Sequence, residues 1–300
     1  MWLILAFCSA ALLGLYDVSK KRSLNGNAVL PVLTLNTLFS CMIFLPFIAL
    51  SASGVLSAGD LMYVEPVSGD VHLLVFLKSL IVLSSWILGY FAIKHLPLTI
   101  VGPVNATRPV LVLVGAMLIF GERLNVYQWI GVGLAIISLF LLSRSGKKEG
   151  IDFKSNRWVF LLALAAIVGA ASGLYDKYLL SERALSPMVV QSWFTIYQFI
   201  EMALVLLILW RPRRRQTTPF TWRWSILLIS LFLTAADFAY FTALSQDGAM
   251  ISVVSMIRRG SVIVSFLCGA LLFREKNLKN KFFDLLLVLL GLVFLFIGSR

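Results

Sequence analysis

Nine charged residues stand inside stretches that are otherwise apolar: Asp17, Lys78, Arg108, Asp176, Lys177, Glu201, Asp237, Arg258 and Arg259. A charge in the middle of a bilayer costs about 2.5–3.5 kcal/mol on insertion scales. Each of these must face a cavity, meet a partner, or lie near a span end and reach the interface along its own stem. Lys177 fits the last description, Lys78 fits either, and Asp17 stands close to Lys20 and Lys21. Asp237 lies in Ala235-Ala236-Asp237-Phe238-Ala239, with nothing but apolar neighbours. An apolar surround penalises the charged form of a carboxyl, so Asp237 is the expected proton-coupling group, with Asp17 and Asp176 behind it.

Helical spacing groups the remaining candidates. Ala10, Gly14, Asp17 and Lys21 fall on one line, and Gly169, Gly173 and Asp176 repeat it. A line of small residues ending in a carboxylate predicts close helix approach beside a polar path. Asn105 and Arg108 share a face, with Pro109 loosening the backbone there. Ser252, Ser255, Arg258 or Arg259, Val262, Ser265 and Gly269 form another face, mostly small or polar. It lines a cavity, or it forms a seam in which the arginines meet Asp17, Asp176 or Asp237. Arg108, Arg258 and Arg259 have the same two readings: a planar fork for the anionic group of a ligand, or counter-charges for buried acids. In the ligand reading, Arg108, Arg258, Arg259, Asn105, Ser255, Tyr16 and Tyr175 are the substrate-binding residues. Tyr16, Tyr175, Tyr90, Tyr240, Trp86 and Trp193 either stack on that ligand or serve packing.

Other chemistries lack their residues. His72 and His95 sit near span ends with no second ligand at i+3 or i+4, so no metal is expected. Cys8, Cys41 and Cys268 lie in apolar runs without CxxC spacing, which gives neither a disulfide framework nor a zinc site. No nucleophile–histidine pair, aspartate dyad or acidic metal box occurs, so neither an enzyme nor a cofactor is expected.

The elements that hold these residues follow from composition. Of 300 residues, 60% are hydrophobic and 13% charged, against roughly 25% charged in an average soluble domain. Such a chain cannot cover itself for water. Soluble enzymes, nucleic-acid binders and disordered proteins are excluded, and the bilayer is the partner. The net charge of +12 then marks loops on the cytoplasmic side, not a nucleic-acid footprint. A span needs about 20 residues. Ten candidates result, at about 2–19, 28–50, 71–93, 98–120, 124–142, 158–180, 187–210, 224–244, 248–273 and 282–298. The apolar start leading to Cys8-Ser9-Ala10 lacks a basic flank and reads as the first span, not as a cleaved leader.

Gly14-Leu15-Tyr16-Asp17 recurs as Gly173-Leu174-Tyr175-Asp176, Tyr90-Phe91 as Tyr240-Phe241, and Arg108 as Arg258. These anchors equate spans 1, 3 and 4 with spans 6, 8 and 9. Five spans per copy is odd, so the second copy is inverted, a common transporter plan. Residues 1–146 and 158–300 are the expected repeats, joined by a basic linker at 147–157. Connection 51–70 is acidic and its counterpart 211–223 carries five arginines, as inverted equivalents should. Odd-numbered connections hold 18 Lys and Arg against 3 in the even connections and termini. That count puts both termini outside.

Tyr90-Phe91-Ala92, Leu96-Pro97-Leu98, Pro103, Thr107-Arg108-Pro109, Phe120-Gly121-Glu122-Arg123-Leu124 and Gln128-Trp129-Ile130-Gly131 resemble the second half of an EamA domain. This is the repeat unit of the drug/metabolite transporter superfamily. Phe273-Arg274-Glu275-Lys276 is a looser second copy of the turn, without its glycine. The resemblance covers essentially the whole chain. It implies an all-α integral membrane protein of ten helices in two inverted five-helix repeats, with a cavity between the halves and alternating access. Many members are drawn with cytoplasmic termini, opposite to the charge count. Together these features lead to a secondary transporter for a small anionic or zwitterionic metabolite, with protons as a possible coupling ion. The expected location is the plasma membrane, as a monomer or homodimer. The alternatives are a lipid-carrier flippase of the same fold and, behind it, an intramembrane enzyme.

Overall fold

A computed structural model describes residues 2–108, 110–112, 114–115, 125–147, 151, 153, 155–244, 257–272 and 278–298. The Phe120–Leu124 turn, Ser252 and Ser255 lie outside the described residues. Ten main helices run through the described chain: α1 (Trp2–Leu24), α2 (Val29–Ala52), α3 (Gly69–His95), α4 (Leu98–Ala106), α5 (Val126–Lys147), α6 (Arg157–Lys177), α7 (Pro187–Val205), α8 (Ser225–Leu244), α9 (Ser261–Leu272) and α10 (Leu278–Gly298). Apolar sequence without water to solvate its backbone must satisfy N–H and C=O groups internally, which a helix does within one segment. Trp2–Leu24, Val29–Ala52, Gly69–His95, Arg157–Leu180 and Pro187–Trp210 are long and apolar enough to span a bilayer. Val126–Ser138, Ser225–Tyr240 and Phe282–Gly298 are shorter apolar stretches. Both α6 and α7 end in a π-helical turn, at Tyr178–Glu182 and Leu206–Trp210.

Packing follows the duplication. α1 packs against α8 and α9, while its counterpart α6 packs against α3 and α4. α2 packs on α7, α4 on α9 and α5 on α10. Exchanging each helix for its repeat partner returns these contacts, as two repeats related by a pseudo-twofold axis require.

Two close approaches bear on the site. A Cβ built on Gly14 would lie 2.4 Å from Val264 Cβ, and one on Gly102 would lie 2.6 Å from Val262 Cγ2. Small residues thus let α1 and α4 close onto α9. Val262, Ser265 and Gly269 are buried in this seam. Of the two readings of that face, its described lower part is a seam.

Connections are tied by polar contacts. Lys21 Nζ donates to Ile93 O at 2.8 Å and Leu96 O at 2.6 Å, closing the C-terminal carbonyls of α3. Asn27 donates to Thr221 O at 2.8 Å and accepts from Thr221 N at 2.9 Å, and Arg223 Nη1 donates to Arg22 O at 2.6 Å. The arginine-rich connection is therefore held against the end of α1.

Candidate functional site

The repeat-related arginines sit where their helices are interrupted. The regular helix α4 stops at Ala106, Thr107 forms a turn, and helical backbone resumes at Arg108. Pro103 removes a backbone donor within α4, and Thr107 Oγ1 donates to Val104 O at 2.7 Å. In the second repeat, helical residues 257–259 are separated from α9 by a turn at Gly260. Broken helices at the repeat interface are where transporters of this plan place polar groups, because freed backbone is tolerated only around a cavity or within protein.

The charges meet partners across the helices. Arg258 pairs with Asp237 of α8, and its guanidinium lies 4.3 Å from the ring centroid of Tyr240. Lys78 of α3 pairs with Asp176 of α6 and lies 5.1 Å from the Phe194 ring. Lys20 pairs with Asp17 one turn away at 2.8 Å, and the Ser265 hydroxyl lies between Asp17 at 3.3 Å and the carbonyl oxygen of Ser261 at 3.2 Å. Asp237 lies within Coulombic reach of Lys78 and Asp176 as well as of Arg258. Arg259 lies within reach of Arg108, Arg258 and Asp17. Arg108 packs over Gly169 of α6, where a Cβ would come within 2.7 Å of its Cζ. Three arginines and three aspartates thus form one cluster drawn from both repeats, with Lys78 and Lys20 at its flanks.

This arrangement corrects one expectation. Asp237 does not stand isolated, because Arg258 reaches it from a segment 21 residues further on. Asp17 and Asp176 are likewise paired. A proton must compete with a cation for each of the three. Lys78 is no interface residue either: its side chain is 5% exposed.

The aromatic candidates divide. Tyr16 and Tyr90 are buried, with Lys20 Nζ 4.2 and 5.2 Å from their ring centroids. Tyr175 donates to Leu74 O at 3.2 Å. Trp193 meets His72 edge-on at 4.5 Å, and His72 Nδ1 is hydrogen-bonded to Tyr197 OH at 2.9 Å. These contacts are packing and anchoring. Trp86 instead faces an internal cavity.

That cavity is small, about 10 Å³, room for little more than one water, and is lined by Ser40 and Phe44 of α2, Trp86 of α3, Gln191, Phe194, Thr195 and Gln198 of α7, and Leu233, Thr234 and Asp237 of α8. It opens beside the charged cluster, because Asp237 belongs to both. Among the buried side-chain atoms with no hydrogen-bond partner are Ser40 Oγ, Gln198 Nε2, Asn105 Oδ1, Arg108 Nε and Arg258 Nε. Buried polar atoms without partners are costly; of these, Ser40 and Gln198 line the cavity, where a polar group would answer them. Its walls are amide, hydroxyl and aromatic, with the Asp237 carboxylate that Arg258 pairs.

The charges Asp17, Arg108, Asp237 and Arg258 point toward this place, but the neutral polar residues of α2 and α7 are not among the sequence candidates. Gln191, Thr195 and Gln198 recur at i, i+4 and i+7, and Asn36 and Ser40 at i and i+4. A neutral polar stripe in an apolar helix was the available signal. It is weaker than a charge because each residue alone is tolerated in a span.

Residues 1–144 and 156–297 each match the EamA-like transporter family. Two probable 4-amino-4-deoxy-L-arabinose-phosphoundecaprenol flippase subunits ArnE are similar to part of the chain. The one from Aeromonas hydrophila subsp. hydrophila is 38% identical over 56 residues, 19% of this chain and 49% of that protein. The one from Aeromonas salmonicida is 36% identical over 59 residues, 20% of this chain and 52% of that protein. The chain thus spans about half the length of the curated relatives it matches. One crystal structure superposes with a TM-score of 0.65 over 100% of this chain and 98% of its own, at 14% identity, a likeness of fold alone.

Proposed function

The chain belongs to the EamA-like transporter family, and from that premise we propose that it is a secondary transporter moving a small anionic or zwitterionic metabolite across the plasma membrane by alternating access. Residues 1–146 and 158–300 act as the two inverted repeats, joined at 147–157. The reading is carried by one observation: Asp237, the partner of Arg258, lines a cavity whose walls come from helices of both repeats. A solute carboxylate or phosphate takes Arg258 from Asp237. Its remaining polar groups meet Gln191, Gln198, Thr195 and Ser40. Trp86, Phe44 and Phe194 cover its apolar part. Arg108 and Arg259 supply further positive charge within reach, so a cation is repelled. Asp17, Asp176 and Asp237 serve as counter-charges that hold the cationic side chains when the cavity is empty.

The test is uptake into vesicles containing the purified protein, from labelled amino-acid and sugar-phosphate pools. Arg258→Ala removes a desolvated charged hydrogen bond worth about 1.5–3 kcal/mol, so apparent affinity falls roughly ten- to a hundredfold. Normal affinity in the surviving protein, with only lowered thermal stability, would leave Arg258 a structural partner and remove it from binding.

A second reading is favoured by the two flippase subunits that the chain resembles. In it the cavity opens sideways to the bilayer and the anionic group is the phosphate of a lipid-linked sugar. Vesicles carrying a lipid-linked sugar phosphate in one leaflet separate the two, because a flippase moves it while the soluble pools stay outside.

A further inference from the structure

Glu201 is the one charged residue of α7, and the site described above does not use it. It is 7% exposed and continues the cavity stripe, one turn beyond Gln198. Its carboxyl lies at hydrogen-bond distance from the hydroxyl of Ser79 on α3, which is fully buried. The same hydroxyl lies 2.6 Å from the carbonyl oxygen of Phe76, one turn back on α3. A serine hydroxyl has one hydrogen. It cannot donate to the carbonyl and to a carboxylate together. Both contacts are satisfied if Ser79 donates to Phe76 O and Glu201 carries a proton that it donates to Ser79 Oγ. The second carboxyl oxygen, Oε2, is buried without a partner. That is costly for a carboxylate and much less so for the carbonyl oxygen of a neutral acid.

Nothing charged compensates Glu201 among the described residues. α2 carries no acidic, basic or histidine side chain. On α3, Lys78 is taken by Asp176, Asp70 by Arg183 at 3.4 Å, and His72 by Tyr197. Lys94 donates to Thr218 and His95 is bonded to Phe91 O, both at the far end of that helix. On α8, which shares the cavity, Asp237 is held by Arg258. Within α7 itself Tyr197 is the other titratable group, and its phenol is engaged by His72.

We propose that Glu201, and not Asp237, is the proton-binding site of this protein. The proton sits between α7 and α3 and is exchanged when the cavity opens to water. The ligand is a proton, and the carboxyl goes from neutral donor to ionised acceptor. Loss of the proton leaves Ser79 with two acceptors and one hydrogen, so the α3–α7 contact loosens. Lys78, the adjacent residue on α3, is the ion-paired contact to α6. Proton loss therefore acts on the helix that joins both halves of the cavity. This inference rests on the transport reading for its consequence but not for its existence.

The experiment uses infrared difference spectra of the full-length protein in vesicles, between acidic and alkaline buffer. The wild type shows the carbonyl band of a buried protonated carboxyl, downshifted in heavy water. Glu201→Gln abolishes it, and Asp237→Asn retains it. The glutamine carbonyl can accept from Ser79, so the variant is expected to fold. Glu201→Asp serves as a second variant and returns a shifted band. A band that persists in Glu201→Gln, or that disappears in Asp237→Asn alone, overturns the proposal. Uptake of the amino-acid and sugar-phosphate pools under an imposed pH gradient gives the coupling. Stimulation of about tenfold in the wild type and none in Glu201→Gln, with counterflow exchange kept in both, is expected. Equal stimulation in both refutes coupling at Glu201. No uptake by the wild type together with the expected band sinks the transport reading and leaves the proton site standing.

Discussion

Asp17 and Asp176 close the same tetrapeptide in the two repeats, and they are answered differently. Asp17 meets Lys20 of its own helix at 2.8 Å, with Ser265 of α9 as a second partner. Asp176 meets Lys78, which arrives from α3, 98 residues away in the chain. Lys20 has a local reason to be where it is, since i and i+3 are neighbours on any helix. Lys78 has none until α3 and α6 are packed. The preceding small-residue lines differ as well. Gly14 is pressed against Val264, while a Cβ on Gly173 would meet Val112 at an ordinary 3.8 Å. The first repeat fixes its carboxylate by a tight helix seam and a local pair. The second leaves room at Gly173, although Gly169 one turn back is closed by Arg108, and it relies on a long-range pair. Two copies of one motif have thus become a rigid face and a face whose grip depends on another helix.

The largest expected effect probes that long-range pair. Lys78→Met strands Asp176 and is expected to destabilise the protein by about 3–5 kcal/mol, the usual cost of breaking one partner out of a buried ion pair. Thermal unfolding in a fixed detergent reads it. Replacing both partners, Lys78→Met with Asp176→Leu, should return most of the loss. If the double variant is as weak as the single, the pair does not account for the difference between the repeats.

A smaller effect separates the two glycines. Gly14→Ala places a methyl 2.4 Å from Val264 Cβ, and overpacking of this kind costs about 1–3 kcal/mol. Gly173→Ala meets no such obstacle and should be near neutral by the same measurement. Equal losses would mean that the seams are alike and the comparison fails.

A third variant probes the local pair. Lys20→Met leaves Asp17 with Ser265 and within reach of Arg108, so about 1.5–3 kcal/mol is expected, the range for a hydrogen bond to a charged group and less than for Lys78→Met. A loss as large as that of Lys78→Met would show that the local pair is no weaker than the distant one.

The spans were legible because hydropathy is a one-dimensional property. Eight of the ten expected spans start within two residues of the helices found, and the expected tenth starts four residues late. The fourth and ninth are interrupted, and there the reading of one continuous span failed. Turns at Thr107 and Gly260 mark the interruptions. Each residue alone is tolerated in a membrane helix, so neither announced a break. The inverted duplication was also legible, since repeated tetrapeptides and opposite loop charges survive in the residue order. Partner choice was not. The apolar flanks of Asp237 suggested an isolated acid, yet Arg258 fills the space beside it. Glu201 and Asp237 look alike in the chain, both single carboxylates in apolar helices. One meets a guanidinium, the other a serine already committed to a carbonyl. Residue order carries composition, span length and repeat symmetry, because each is summed along the chain. Which charge meets which, and which acid is left to hold a proton, depends on the rotation of each helix about its axis and on close approaches such as Gly14 on Val264. Those are set only when helices from distant parts of the chain pack together.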